Sequence, residues 1–269
     1  EPITPLTYNT KAQETIHMSG VPYSSTISWE WYEEGNSENH GSGSATSPSN
    51  ANAIDIAAFT DAGTYVVEIT VEKSGFTSKT LAPVTAIINK AAVTTPVGAS
   101  GLQYTGGEQL GLAAPADDAL YTYSEDSVTK GMNAGQYTAH AILNDPDNYA
   151  WSSGDDNRDG TVEISWSIAK RGVLETTLGG YADQTVPYKG SPYTAVEEPA
   201  NATGFFKITY NDEGTLVGKI KNTDIEAFTI TNAQRTNAGR YTVVATITDF
   251  ANFYWITHPN VDSYDLGDW

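Results

Sequence analysis

The chain has 269 residues, with 33 acidic against 14 basic side chains and a formal net charge of −19 at pH 7. Such a charge repels a phosphate backbone and an anionic bilayer surface alike, so nucleic acid is excluded as an expected partner. With 39% hydrophobic residues, 16 Tyr, 7 Phe and 6 Trp, the composition is that of a packed protein, and the absence of cysteine excludes disulfides, thiolate metal sites and a cysteine nucleophile.

In chain order, "LTYNTKAQ" around Tyr8 reads as a turn, and "TISWEWYE" from Thr26 as a strand with period-two alternation. The Gly-, Ser- and Asn-rich stretch from Glu33 to Ala53 has loop composition. "NAIDIAAFTDAG" is the best helical candidate, but its apolar run is short, and "GTYVVEITVE" from Gly63 is a strand. A closing strand runs to Lys90. The same order then returns: an early turn at Tyr104, a strand after Gly135, and a closing strand "TVEISWSIA" to Lys170. It returns again with Tyr188, "FFKITY" at Phe205, and "RYTVVATIT" from Arg240. No run of about 18 apolar residues occurs, so no membrane insertion is expected within these residues.

The landmark that defines the repeat is "DAGTY", "NAGQY" and "NAGRY". Asp or Asn before a Gly makes a corner at which the backbone is expected to take positive φ, and the Tyr two residues later starts a strand. Tyr65, Tyr137 and Tyr241 then share a face with Val67, Ala139 and Val243, and that face is the expected core. A buried Tyr needs a partner for its hydroxyl, and bonding back to the chain just upstream supplies one. From Tyr8 to Gly63 and from Tyr188 to Gly239 the chain carries roughly 20 more residues than from Tyr104 to Gly135, additions expected to sit in loops.

These motifs resemble the D-x-G-x-Y-x-C signature of immunoglobulin domains, with Val67, Ala139 and Val243 in place of the cysteine. The second unit as a whole is similar to the MBG-type repeats of bacterial cell-surface and adhesin proteins. The resemblance implies an all-β protein of three tandem immunoglobulin-like β-sandwich domains without disulfides, at 1–90, 91–170 and 171–269. It also implies tyrosine corners at Gly63 and Tyr65, Gly135 and Tyr137, and Gly239 and Tyr241. The last strand of the third unit is expected to be cut short, as in a monomeric segment of a longer array.

Few residues suggest chemistry. "DDNRDGT" places Asp155, Asn157 and Asp159 at alternate positions before Gly160, the opening of a calcium loop, with Asp145 and Asp147 as further candidate ligands. The twelfth position is Trp166 where a bidentate acid is needed, so a solvated hairpin is the stronger reading. The adjacent acids Glu33 and Glu34, Asp117 and Asp118, and Glu197 and Glu198 point to opposite faces of a strand, which denies them the geometry of a glycosidase pair. Lys90 and Lys170 raise the question of an isopeptide crosslink, which needs a buried Lys beside an amide and a carboxyl. Both lead into linkers instead. Trp29 and Trp31 share a face with Ile27 and read as core, which leaves Tyr32, on the opposite face, as the candidate ligand contact.

No G-x-S-x-G motif, phosphate loop or dinucleotide fingerprint is present. The expected function is therefore a non-enzymatic extracellular stalk or adhesin segment of a bacterial surface protein, with an unknown protein or glycan ligand. The alternative is a carbohydrate-binding module array that uses the inserted loops and exposed aromatics. No cofactor other than a candidate calcium ion is expected.

Overall fold

The computed structural model describes residues 1–155, 159–174, 178, 185–194 and 204–268. The described residues contain no α-helix, and no helix long and apolar enough to cross a membrane. The first strands are β1 (Leu6–Thr7), β2 (Gln13–Ser19), β3 (Thr26–Glu33), β4 (Asn36–Thr46), β5 (Ala53–Phe59), β6 (Gly63–Glu72), β7 (Lys79–Thr80), β8 (Val84–Asn89) and β9 (Ala91–Val93). There follow β10 (Leu102–Gln103), β11 (Gln109–Leu110), β12 (Tyr121–Tyr123), β13 (Lys130–Gly131), β14 (Gly135–Leu143), β15 (Tyr149–Trp151) and β16 (Thr161–Ala169). The last are β17 (Arg171–Val173), β18 (Tyr193–Thr194), β19 (Phe206–Tyr210), β20 (Leu216–Ile220), β21 (Glu226–Thr231), β22 (Gln234–Arg235), β23 (Thr242–Ile247), β24 (Phe253–Trp255) and β25 (Ser263–Asp268).

The chain groups into two compact units. Unit one holds Glu1–Pro96, Pro115–Glu125 and His140–Glu163; unit two holds Val97–Ala114, Asp126–Ala139 and Ile164–Trp269. Residues 97–163 are thus divided between the units, and β14 and β16 contribute to both.

In unit one, a sheet ordered β1-β8-β6-β3-β4 shares a core with the pair β2-β5. The alternation in β6 buries Tyr65, Val67 and Ile69 against Ile16 of β2 and Ile56 of β5. The Phe59 ring stacks on Tyr65 at 3.9 Å. The segment with the best helical pattern is β5, paired with β2 from Gln13↔Phe59 to Ser19↔Ala53. Its apolar run is too short to bury a helical stripe, and an extended conformation interrupted at Ala57, which has φ 58°, places both Ile56 and Phe59 on the core.

The Gly- and Ser-rich stretch after Glu33 is not a loop. It forms β4, eleven residues antiparallel to β3, with Trp29 opposite Gly43 and Trp31 opposite Gly41. Both indoles lie over these glycines, and a Cβ on Gly43 would stand 2.4 Å from the Trp29 ring. Composition alone therefore misleads: the residues are small because two large rings need their space, while pairing satisfies the free N–H and C=O groups of β3. Gly43→Val is expected to destabilise the protein by about 1–3 kcal/mol through overpacking, whereas Ser42→Val on the exposed face should stay within about 0.5 kcal/mol. Chemical denaturation of the two variants checks this; equal effects would contradict the packing argument.

In unit two, β19-β20-β21-β23-β25 form one antiparallel sheet, with β18-β22 and β11-β13 as separate pairs. Phe228, Ile230, Val243, Ala245 and Trp255 are buried. The extra residues of the third repeat are also strands rather than loop. They form the β19-β20 hairpin, which precedes β21, the neighbour of β23. In the first repeat the added strand β4 follows β3, the neighbour of β6. Insertions on opposite sides of equivalent strands thus extend the same sheet edge, since an open edge offers unpaired backbone groups wherever the chain passes. The last strand of the sheet, β25, pairs with β23 from Thr242↔Asp268 to Thr246↔Ser263.

Lys90 and Lys170 do not open onto linkers. Each is a single residue between strands, β8 and β9 or β16 and β17. The strand that follows is held at once, β9 parallel to β15 and β17 parallel to β24.

Candidate functional site

The corner motif folds the same way three times. The Tyr65 hydroxyl donates to the carbonyl of Asp61 at 2.9 Å, Tyr137 to that of Asn133 at 2.6 Å, and Tyr241 to that of Asn237 at 3.1 Å. The glycines do not serve the role expected of them, because none of Gly63, Gly135 and Gly239 has positive φ. At two of the three the reason for Gly is space. A Cβ on Gly63 would lie 3.2 Å from the Tyr65 hydroxyl oxygen, and one on Gly239 would lie 3.0 Å from that of Tyr241; Gly135 has no atom within 4 Å of such a Cβ.

Burial, with smaller contributions from Glu33 and Asp61, pushes the Tyr65 hydroxyl up to about 12. Its folded value exceeds the ordinary 10, so this group's contribution to stability is complete below pH 10 and is lost as pH rises through 12. Tyr65→Phe is expected to lose about 0.5–1.5 kcal/mol at neutral pH with the hydrogen bond, and to flatten the fall in stability between pH 10 and 12. Denaturant titrations across that range check both effects.

Beside two of the corners sits a short loop. In unit one, Asp145-Pro146-Asp147-Asn148-Tyr149 is a turn in which the Tyr149 N–H donates to the Asp145 carbonyl at 3.1 Å. Asn148 is only 8% exposed, and its side chain fills the corner. Its Oδ1 accepts the Ala62 N–H at 2.8 Å, and its Nδ2 donates to Asp145 at 3.0 Å and Asp61 at 3.3 Å. The Asn148 carbonyl accepts the Ala91 N–H at 2.9 Å, which starts β9.

In unit two, Asp249-Phe250-Ala251-Asn252-Phe253 repeats this almost bond for bond. Asn252, 5% exposed, accepts the Ala134 N–H at 2.6 Å and donates to Asp249 at 2.8 Å and Asn133 at 3.2 Å. Its carbonyl accepts the Arg171 N–H at 2.8 Å, at the start of β17. Every hydrogen-bonding atom of the two amides is used, which is what burial of an Asn demands.

Aromatic and cationic groups complete both contacts. The Tyr8 ring meets Tyr149 edge-on at 5.2 Å, and Tyr104 meets Phe253 edge-on at 5.2 Å. Lys90 Nζ donates to the Pro146 carbonyl and Lys170 Nζ to the Phe250 carbonyl, both at 2.6 Å. The two lysines thus bind backbone oxygens. The available signal was D-x-x-N followed by Tyr or Phe, present after both "AIL" and "TIT". Each half of the contact lies far from its partner in sequence, so spacing could not join them.

The remaining candidates are placed as follows. Asp155 accepts the N–H groups of Asp159 and Gly160 at 3.1 and 3.0 Å, and Asp159 accepts that of Thr161 at 2.9 Å. These carboxylates thus brace their own turn, and Asn157 lies outside the described residues. Asp145 is a partner of Asn148. Among the described residues no group of three or more His, Asp and Glu side chains is arranged to hold a metal ion. Tyr32 is 43% exposed and lines an open depression with Glu30, His40, Ser42 and Glu68. Trp29 and Trp31 pack instead against the core, Trp31 edge-on to Phe59 and Tyr65. Glu197 and Glu198 lie outside the described residues.

The arrangement therefore joins a loop to a corner through a fully bonded amide and an aromatic edge. No protein-family model matches this chain, and no curated protein matches it either.

Proposed function

We propose that the chain is a non-enzymatic extracellular segment of a bacterial surface protein. It consists of three immunoglobulin-like β-sandwich repeats of the MBG type, and it spaces or presents binding modules toward a protein or glycan partner. The observation that carries this reading is the corner-and-loop contact, made twice with the same amide bonds by Asn148 and Asn252. A chain that repeats one locking contact, and places its acids in turns and on sheet surfaces, suits a mechanical or presenting role.

The depression at Tyr32 favours a second reading. A half-exposed aromatic ring beside a hydroxyl and two carboxylates, on one sheet face, is the chemistry of a sugar-binding surface. A broad glycan array, probed with the full chain and with Tyr32→Ala, with and without calcium, separates the two. No specific signal is expected. Binding that is lost in Tyr32→Ala would replace the presenting role with a carbohydrate-binding one, and binding only with calcium would revive the Asp155 loop as a metal site.

A further inference from the structure

The third corner is built like the other two, yet nothing described fills it. Ala62 and Ala134 are half-buried beneath Asn148 and Asn252, whereas Asn237, Ala238 and Gly239 are all exposed. No group among the described residues accepts the Ala238 N–H. Tyr8 and Tyr104, the early tyrosines of the first two repeats, each meet an incoming aromatic ring; Tyr188, the third, is 68% exposed. Asn237, Ala238 and Tyr188 line one groove of about 440 Å³, together with Arg235, Arg240 and Tyr193.

We infer that this groove is a docking socket for an Asp-x-x-Asn-aromatic loop presented by another β-repeat of this kind. The incoming Asn would accept the Ala238 N–H and donate to Asn237, as Asn252 does with Ala134 and Asn133. The incoming ring would cover Tyr188. Charge agrees at one edge: the two seated loops carry Asp145 and Asp147, or Asp249, and the open groove is rimmed by Arg235, while its second cation, Arg240, is paired with Asp268.

A second copy of the chain does not offer the needed loop. Its Asn148 and Asn252 are already engaged, and the matching turn of the first repeat, in which the Phe76 N–H donates to the Lys73 carbonyl at 3.0 Å, has Gly75 where the Asn should be. The inference extends the docking contact and is independent of where the protein works.

The test is amide NMR of the full chain, titrated to millimolar concentration with a head-to-tail cyclised peptide of residues 144–151. A saturable shift of the Ala238 amide is expected, with the amides of Ala62 and Ala134 unmoved because their acceptors are in place. A peptide with Asn148→Ala should bind about tenfold more weakly or worse, and Arg235→Glu in the chain should weaken the parent peptide. An unmoved Ala238 amide, or equal binding of the two peptides, overturns the inference. A shift of Ala238 that follows chain concentration without peptide also overturns it, and assigns the groove to a second copy.

Discussion

Asn148→Asp is expected to lower stability by about 3–5 kcal/mol at pH 7, because it sets a third carboxylate against Asp61 and Asp145 and removes the amide that bonded both. The Ala62 N–H keeps an acceptor, so the loss falls on the donor side and carries a pH signature. The introduced carboxyl has a raised folded value, and protonation restores a donor. Its deficit is therefore small in acid, grows as pH rises through about 4, and is complete above the folded value. Asn252→Ala supplies the contrast. It leaves the Ala134 N–H and Asp249 Oδ2 without their amide partner, while Asp249 Oδ1 keeps the backbone N–H of residue 252, for a loss of about 2–4 kcal/mol with little pH dependence. Denaturant unfolding between pH 4 and 8 measures both. A flat profile for Asn148→Asp, or a loss below about 0.5 kcal/mol in either variant, would show that the amide does not hold the corner.

Trp255→Ala should cost about 3–5 kcal/mol. Trp255 is fully buried, its ring centroid is 5.7 Å from that of Phe228, and its Nε1–H donates to the Asp262 carbonyl at 3.1 Å. In register it faces Val173 of β17, itself fully buried. Loss of the indole thus opens a cavity and loosens the strand that the Asn252 carbonyl starts. Trp255→Phe refills most of the volume but removes one of the two hydrogen bonds that the Asp262 carbonyl accepts, the other coming from the Ile247 N–H at 2.7 Å, so an intermediate loss of about 1–2 kcal/mol is expected. Trp151 has the same place in unit one, with its Nε1–H on the Gly160 carbonyl at 2.8 Å and Val93 as its β9 partner. Calorimetry of the two Trp255 variants checks the order; an alanine variant as stable as the phenylalanine one would mean that the site collapses without a cavity.

The locking contact also explains why no flexible linker is needed after Lys90 or Lys170. The carbonyl of the buried Asn accepts the first N–H of the strand that follows the Lys, and the Lys itself bonds a carbonyl of the same loop. One five-residue turn thereby fixes a corner, a strand start and a cation.

Much of the local structure was legible without coordinates. Period-two alternation marks β3, β6, β16 and β23 because strand side chains alternate faces, and Tyr65, two residues after its corner Gly, is buried by the same rule, whereas Tyr137 and Tyr241 are half-buried. The tertiary structure decided the rest. The "HGSGS" stretch is a strand because Trp29 and Trp31 lie across it, and a composition-based reading cannot see a ring that arrives from a neighbouring strand. The role of Gly63 is room for the Tyr65 hydroxyl and not backbone handedness, a distinction that only distances make. Asn148 and Asn252 could not be joined to their corners from sequence because their partners, Ala62 and Ala134, are more than eighty positions away. Local pattern determines which residues extend and which face they share; burial of a polar side chain is a property of whatever packs on top of it, and that is set by long-range contact alone.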